Sequence, residues 1–446
     1  MSGRHSNLLG VFLTAFAVVT ATLTSQAWAQ QHVDRVQREV VQSMLNSLAS
    51  DLRQYYYDPK FHGVDLEAKI LEAKERIAQA PTYDDAAIAV AALFEALNDS
   101  HTFYVSPGHY AKLEYGWRYQ MIGNRCFVTQ VKPRSDAESK GVKPGDQVLT
   151  LEGFEPSRDG LRRMQYAINN LTLLRSLSVN LLDPARKVHK VEIVAKQQGA
   201  KEITDGEDMT GGEQWRRRLD FENEMHLLRV RYREFGDDLL IVKLPEFVQA
   251  QLEVHELLSK AKKHKSLILD LRGSPGGSEE TLQYMLGGLL DKEVKIADRI
   301  ARKNTKPLLT KGDHRDGFTG NLIVLVDSES ASASELLART VQLQKRGTVM
   351  GDLTSGATME AEFYRHHTGG NRDYYYGAEI TVADLVLPDG KRLEGVGVTP
   401  DVLVAPTADD MANQRDPVLS RAAGLVGVGL SPQEAGKLFS FEWPSR

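Results

Sequence analysis

Apolar residues near the start of the chain recur every three or four positions, which is the spacing of one buried face of an α-helix. Two such stripes can be followed between Val33 and Leu97. The first contains Val36, Val40, Val41, Met44, Leu45 and Leu48, and the second contains Ala86, Val90, Leu93, Phe94 and Leu97. Pro59 and Pro81 interrupt the helical pattern. The pattern predicts a small helical N-terminal domain over residues 30–108.

Over residues 110–198 the pattern changes to that of β-strands. Cys126–Val131 alternates between apolar and polar positions, and Gln147–Leu151 repeats this alternation. Between them a short helical segment ends at Gly141, and Lys143–Asp146 has the composition of a turn. These features predict a β domain.

From residue 239 onward, short apolar runs alternate with helical segments. The apolar runs are Leu239–Leu244, Ser266–Leu271 and Leu322–Val326, and the helical segments are Gln251–Lys263, Ser278–Leu290 and Ala333–Arg346. Strands buried on both faces of a parallel sheet have such continuous apolar sequences. The pattern predicts an α/β core over residues 239–406. A charged connector over 199–238 precedes it, and a helical tail over 407–446 follows it.

Composition narrows the classes of protein that fit this pattern. The chain has 446 residues, of which 41% are hydrophobic, so several globular domains are expected. Its 55 Lys and Arg and 60 Asp and Glu residues leave a net charge of −5, without a long basic block that would indicate a nucleic-acid partner. A single cysteine, Cys126, excludes an internal disulfide and a zinc site built from cysteines.

The first 29 residues have the organisation of a secretory signal peptide. Arg4 and His5 precede an apolar run over Leu8–Leu23, and Ala27–Ala29 forms an Ala-x-Ala cleavage motif. An uncleaved anchor is the alternative, but the run is short for a membrane span. We therefore expect an exported protein, in the bacterial periplasm or outside the cell, with no membrane span after cleavage.

A serine-rich motif, Ser-Ala-Ser-Ala-Ser-Glu over Ser330–Glu335, follows one apolar strand and begins a helix. A serine at such a turn exposes its hydroxyl beside free N–H groups at the positive end of the helix. This arrangement suits an acyl-transfer nucleophile, because the same N–H groups can bind an oxyanion. However, Ser332 and Glu335 also have the spacing of a helix capping box, which requires no catalysis.

A glycine-rich segment, Asp270–Ser278, follows another predicted buried strand. Paired glycines allow backbone N–H groups to approach a ligand closely. A phosphate-binding loop is the competing interpretation, but the segment lacks its Gly-Lys-Ser/Thr ending and its Gly-x-Gly-x-x-Gly spacing, which disfavours that function. Asp270 and Arg272 are expected to neutralise each other in a structural role.

With these motifs, the chain resembles the C-terminal processing (tail-specific) serine peptidases, and Val131–Gly153 resembles a PDZ domain. The resemblance implies an α/β fold with a crotonase-like spiral core and a PDZ-like β domain beside the helical domain. It also implies that Ser332 is the nucleophile, with an oxyanion hole formed by the N–H of Ala333 and of Gly276 or Gly277. PDZ domains bind extended peptides, often at a free C-terminus.

The chain departs from the lysine-dependent branch of that family. The positions that carry the lysine base and a glutamine there are Ala357 and Ala361 in this sequence, and no lysine occurs between Lys345 and Lys391. A Ser–Lys dyad from this segment is therefore not available.

A histidine can take the place of that lysine. Ser100-His101 resembles the Ser-His pair of the tricorn-type branch, and Glu394 begins a segment similar to that branch's Glu-Gly-x-Gly-Val-x-Pro-Asp. The resemblance implies that His101 is the general base for Ser332, that Glu394 orients it, and that Ser100 hydrogen-bonds Glu394. The pair His366-His367 is the alternative source of the base.

Other functions fit the sequence less well. His255–Ser259 lacks the second histidine of a zinc helix, which excludes a metalloprotease of that type. A catalytically inactive PDZ-containing peptide-binding or scaffold protein is the main alternative. A crotonase-type acyl-CoA enzyme would share the implied core, but the export signal and the PDZ-like segment disfavour it. We expect no metal or organic cofactor, and peptides or unfolded proteins as substrates.

Overall fold

The computed structural model describes residues 35–107, 112–172, 174–198, 226–312, 314, 317–369 and 373–443. The predicted signal peptide over residues 1–29 and most of the predicted connector over 199–238 lie outside the described residues. Among the helices that the structure describes, none is long and apolar enough to cross a membrane. The described chain has a mixed α/β fold.

Three helices form the N-terminal part: α1 (Arg35–Tyr55), α2 (Leu66–Gln79) and α3 (Tyr83–Glu95). Thr82 caps α3 through reciprocal hydrogen bonds with Asp85, because its hydroxyl accepts the Asp85 N–H at 3.1 Å and the Asp85 carboxylate accepts the Thr82 N–H at 3.2 Å. The second apolar stripe predicted from the sequence is buried. The first is buried from Val41 onward, whereas Val36 is 65% exposed. A short strand, β1 (Phe103–Val105), follows α3.

The next part is built mainly of antiparallel strands. Its elements are β2 (Lys112–Glu114), β3 (Trp117–Ile122), β4 (Arg125–Val131), α4 (Asp136–Ser139), β5 (Gln147–Leu151), α5 (Arg158–Tyr166), β6 (Ser176–Leu182), β7 (Val188–Val194) and β8 (Lys196–Gln198). The sheet has the order β3-β4-β5-β6-β7, and β2 pairs with β8 separately. Strand β3 is therefore an edge strand, and α5 packs beside it.

The C-terminal half contains the remaining strands and the longer helices of the core. They are β9 (Arg231–Phe235), β10 (Leu239–Lys243), α6 (Gln251–Ala261), β11 (Ser266–Asp270), α7 (Glu279–Leu289), β12 (Lys295–Ala301), β13 (Thr305–Leu309), β14 (Asn321–Val326), α8 (Ala333–Leu343), β15 (Thr348–Gly351), β16 (Glu360–Gly369), β17 (Asp373–Val386) and β18 (Val402–Leu403). The alternation of strands and helices predicted from residue 239 is confirmed.

The core sheet has the order β18-β15-β14-β11-β10-β9. Strands β10, β11, β14, β15 and β18 are parallel, and β9 is antiparallel to β10. Strand β9 lies inside the predicted connector, so the last part of that connector belongs to the sheet. The sequence missed it because β9 is an edge strand whose central residues, Tyr232, Arg233 and Glu234, are exposed and form no apolar run.

A second sheet joins the N-terminal helices to the core. Its order is β1-β17-β12-β13, and β16 also pairs with β17. In β1, Phe103 is opposite Glu379 of β17. Helix α1 packs on the β16–β17 hairpin, where Tyr55 stacks on Tyr364 with ring centroids 4.2 Å apart. This pairing brings the segment before β1 to the core.

Three short helices follow the core: α9 (Ala408–Ala412), α10 (Pro417–Leu425) and α11 (Pro432–Leu438). Leu419 and Ala422 of α10 are buried in one apolar cluster with Ile323 of β14 and Met350 of β15. The tail is thus packed on the face of the core sheet opposite α8, whose Leu337 belongs to another cluster.

Candidate active site

Ser332 lies immediately before α8, at the end of the turn that follows β14. Its backbone has φ 51° and ψ −116°, a conformation that costs a residue with a side chain about 1–3 kcal/mol. The hydroxyl makes no capping hydrogen bond to the helix. Instead, the Glu335 N–H donates to the Ser332 carbonyl oxygen at 2.9 Å. Helix capping therefore does not explain why this position carries a hydroxyl group.

The two predicted glycines lie against this turn. Because β11 and β14 are parallel neighbours, the segments that follow them meet at one edge of the sheet. Gly276 has φ 100°, and a Cβ there would lie 2.8 Å from both Ser332 Cβ and Ala333 N. A Cβ on Gly277 would lie 2.5 Å from the Phe247 carbonyl oxygen. Only glycine allows the backbone to approach the serine this closely.

Ser100 and His101 lie just before β1, and Ser100 contacts Glu394, which is 294 residues away in the sequence. The Ser100 hydroxyl donates to Glu394 Oε2 at 2.8 Å, and the Ser100 N–H donates to Oε1 at 2.9 Å. The Ser100 oxygen lies 2.7 Å from His101 Nδ1. The carboxylate thus reaches the imidazole through one serine hydroxyl.

This hydrogen-bond chain determines the tautomer of His101. The Ser100 hydroxyl has one proton, which it donates to Glu394, so it can only accept from His101 Nδ1–H. The neutral imidazole then has its lone pair on Nε2, the state required of a general base. Burial, together with the nearby charge of Arg162, lowers the pKa of His101 to about 3, so this neutral state persists at neutral pH. Burial raises the pKa of Glu394.

Asp99 holds the segment that carries the histidine. Its carboxylate accepts hydrogen bonds from the backbone N–H of His101 at 2.8 Å, the Tyr56 hydroxyl at 3.0 Å and the Thr381 hydroxyl at 2.7 Å. Tyr56 belongs to the N-terminal part and Thr381 to β17. The histidine is therefore fixed by residues from two distant parts of the chain.

A buried carboxylate that the sequence did not predict to be important, Glu335, organises the loop over residues 354–358. Its donors are the N–H groups of Ser332, Gly356 and Ala357 and the hydroxyls of Thr354 and Thr358, at 2.5–3.1 Å. Ala357 returns a hydrogen bond, because its carbonyl oxygen accepts the Ser332 N–H at 2.8 Å. The Thr358 N–H donates to Glu394 at 2.9 Å. Glu335 thus connects the turn at Ser332, through Thr358, with the carboxylate that contacts Ser100.

Ser332, Ala333, Gly277, Ser100 and His101 line one cavity of about 1790 Å³. The residues of α5 and β3 line the same cavity, including Arg162 of α5. Burial lowers the pKa of Arg162, and the carboxylates of Glu394, Glu335, Glu95 and Asp99 oppose that shift. Among the hydrogen bonds of the described residues, none joins the Ser332 hydroxyl to His101. Such contacts are often long in sites without substrate.

The alternative base, His366, is held elsewhere. It lies 2.5 Å from Asp51 of α1 and stacks on Tyr376, with ring centroids 5.4 Å apart. Its neighbour His367 stacks on Tyr375 on the same hairpin. His366 therefore packs between the hairpin and the N-terminal helices, and His367 packs on the hairpin itself.

The predicted structural pair is also present, because Arg272 donates to Asp270 at 2.8 Å and to Asp416 at 2.7 Å. Burial would raise the pKa of Asp270, but Arg272 and Lys243 hold it well below its usual value. Among the described residues, no group of three or more His, Cys, Asp or Glu side chains could hold a metal ion. Cys126 is buried, and burial raises its pKa above 9.

Comparison with known proteins shows that the chain is similar to a family of peptidases. Residues 238–404 match the model of Peptidase family S41. The carboxyl-terminal-processing protease of Synechocystis sp. is 22% identical over 342 residues, which cover 71% of this chain and 70% of the relative. The chloroplastic C-terminal processing peptidase of Tetradesmus obliquus is 25% identical over 375 residues, or 79% of this chain and 74% of the relative.

Among solved structures, mature CPAF resembles this chain with a TM-score of 0.63 at 13% identity, over 84% of this chain and 94% of that chain. At this identity the likeness concerns the fold. The matches and the serine turn define a serine peptidase. Residues 238–404 are similar to peptidase family S41, and the chain is similar to carboxyl-terminal processing proteases.

Proposed function

We propose that the chain is an exported serine endopeptidase in which Ser332 is the nucleophile, His101 the general base and Glu394 the group that orients His101 through Ser100. The main support is the hydrogen-bond chain from Glu394 through Ser100 to His101, at 2.8 and 2.7 Å, in the cavity that Ser332 also lines. This chain leaves the Nε2 lone pair of His101 available for the serine proton.

In the proposed reaction, His101 Nε2 accepts the proton of the Ser332 hydroxyl while the oxygen attacks the peptide carbonyl carbon. The tetrahedral intermediate collapses when the C–N bond breaks, and His101 returns the proton to the leaving amine. Water then attacks the acyl-enzyme with the same proton transfers and releases the carboxylic acid and Ser332. Ser100 and Glu394 stabilise the imidazolium that forms in each step.

The oxyanion would be bound by backbone N–H groups of Ala333 and of Gly276 or Gly277. Ala333 is the first residue of α8, where N–H groups have no partner within the helix. The Phe247 N–H donates to the Gly276 carbonyl oxygen at 2.7 Å and so fixes the glycine segment. A donor pair fixed in advance is the arrangement that stabilises developing negative charge.

We further propose that residues 110–198 form a PDZ-like module and residues 239–406 a crotonase-like core. The edge strand β3, with α5 beside it, has the form of a groove to which an extended peptide adds as a strand. Since the groove residues Arg118 and Gln120 line the cavity of Ser332, a bound C-terminus would lie near the nucleophile. Substrates would be peptides or unfolded proteins, and the signal sequence supports action in the periplasm or outside the cell.

Labelling with a fluorophosphonate probe, read by peptide mass spectrometry, tests this proposal. We expect an adduct on Ser332 that is lost in Ser332→Ala and slowed strongly in His101→Ala. Ser139→Ala and His255→Ala, both at exposed positions, are the matched controls and should label normally. Folded protein that neither labels nor cleaves any peptide would favour a peptide-binding scaffold. Full activity of His101→Ala would overturn the assignment of the base.

A further inference from the structure

The last described residues of the chain return to the cavity that contains Ser332. We name Phe439–Trp443, which follow α11, the C-terminal strap. All five of its residues line this cavity. None of them was assigned a role from the sequence.

On one side, aromatic residues of the strap contact one cation in β3 and one directly after β4. The Arg118 guanidinium of β3 lies 5.0 Å from the centroid of the Phe441 ring, and Lys132 Nζ lies 5.8 Å from that of Trp443. The two rings pack edge to face, with centroids 5.0 Å apart. These distances are typical of cation–π interactions. The two interactions hold the strap beside the edge strand β3.

On the other side, the strap binds the edge of the core sheet. The Glu442 carboxylate accepts hydrogen bonds from Arg229 at 2.9 Å and from Arg231 at 3.3 Å. Arg231 also donates to the Ser440 carbonyl oxygen at 2.9 Å. The strap therefore bridges β3 and β9, which belong to different sheets.

The same edge strand contacts the turn that precedes the nucleophile. Arg118 forms an ion pair with Glu329 at 3.3 Å, and the Gln120 side chain donates to Asp327 at 3.2 Å. Thus Arg118 touches the strap through Phe441 and the nucleophile turn through Glu329. A polypeptide lying along β3 toward Ser332 would meet the strap.

We propose that the C-terminal strap occupies part of the substrate's path within its own chain, and that this part of the cleft recognises aromatic residues on both sides of a carboxylate. Four cations, Arg118, Lys132, Arg229 and Arg231, supply complementary contacts for such a segment. This inference rests on the proposed peptidase function. Because the strap is tethered, its effective concentration is high, and a substrate must displace it. It therefore raises the apparent KM without changing kcat.

The first test compares the full chain with the variant Phe441→Ala/Trp443→Ala in peptide hydrolysis. Loss of the two cation–π contacts should lower KM about fivefold or more while kcat stays the same. Tyr375→Ala is the matched control, because Tyr375 is 64% exposed on the β16–β17 hairpin. An unchanged KM in the folded double variant would overturn the proposal.

A second test does not depend on catalysis, so it separates failure of this inference from failure of the proposed function. Fluorescence anisotropy measures binding of labelled Phe-Ser-Phe-Glu-Trp to Ser332→Ala and to Ser332→Ala/Phe441→Ala/Trp443→Ala. We expect the triple variant, whose strap is weakened, to bind the peptide at least fivefold more tightly, and Phe-Ser-Ala-Glu-Ala to bind neither protein. Equal or undetectable binding of the first peptide to both proteins would refute the inference, even if the chain is an active peptidase.

Discussion

Replacement of Ser100 by alanine tests the least usual feature of the candidate site, the hydroxyl between histidine and carboxylate. In the structure this oxygen lies 2.7 Å from His101 Nδ1 and 2.8 Å from Glu394 Oε2. The alanine variant removes the hydrogen-bond partner that His101 and Glu394 share. A hydrogen bond that involves an ionised group contributes about 1.5–3 kcal/mol. Since about 1.4 kcal/mol corresponds to a tenfold change in rate, kcat should fall roughly 10- to 150-fold.

The assay should separate this effect from loss of structure. The Ser100 N–H still donates to Glu394 in the variant, at 2.9 Å, so the segment should keep its position. We would measure kcat for peptide hydrolysis and the rate of fluorophosphonate labelling, together with thermal unfolding. Ser139→Ala, at an exposed position, is the matched control. A folded Ser100→Ala protein with full kcat would refute the role given to the hydroxyl.

A double-mutant cycle with Glu394→Gln gives a stricter test. If Glu394 acts on His101 only through Ser100, the double variant should be no slower than the slower single variant, because both substitutions break one chain. Losses that multiply would mean that Ser100 and Glu394 act independently. In that case the Glu394 carboxylate would act on His101 through its charge and not through the Ser100 hydroxyl.

Three further predictions follow from the same contacts. Gly276→Ala should lower kcat at least about 100-fold, because its Cβ would lie 2.8 Å from Ser332 Cβ, whereas Gly390→Ala, also at positive φ but with no atom within 4 Å, should retain kcat. Glu335→Gln should lower the free energy of unfolding by about 2–4 kcal/mol in chemical denaturation and slow labelling, because its amide NH2 would face N–H donors; unchanged stability would contradict this. Because the pKa of folded His101 is about 3, below the unfolded value of 6.5, the unfolded state binds the extra proton between these values. The contribution of neutral His101 to the free energy of unfolding is therefore complete above about pH 6.5 and declines as the pH falls toward 3. The pH profile of kcat/KM should show no titration near pH 6.5, in contrast to that of an ordinary histidine base.

The sequence predicted the elements that depend on local pattern. Continuous apolar runs identified β10, β11 and β14, because strands buried on both faces exclude polar residues. The edge strand β9 escaped prediction for the opposite reason, since its exposed charged residues resemble a linker. The pairing of the strands in the second sheet was not predicted. The partners are distant in sequence, as in the pairing of Phe103 with Glu379, and local periodicity carries no information about such contacts.

In the candidate site, too, residues that follow a local pattern were predicted, and contacts between distant segments were not. Ser332 and the glycines were found from strand–turn–helix spacing together with a family resemblance. By contrast, only the resemblance indicated Glu394, because no local pattern connects it with Ser100. The role of Glu335 was not predicted at all, since in sequence it is the third residue of a helix and fits an ordinary cap. Its actual partners, such as Gly356 and Thr358, come from a loop about 20 residues later, and only the folded chain brings them together.

The loop over residues 354–358 also explains how the chain can lack the lysine base of the lysine-dependent branch. Ala357 takes the lysine's position, is 2% exposed, and has both backbone groups engaged, its N–H by Glu335 and its carbonyl oxygen by the Ser332 N–H. The loop therefore holds the Ser332 backbone and, through the Thr358 N–H, the Glu394 carboxylate. If His101, from the segment before β1, is the base as proposed, the loop need not supply one. One buried carboxylate, Glu335, can then fix the positions of both Ser332, the proposed nucleophile, and Glu394, the group proposed to orient the base.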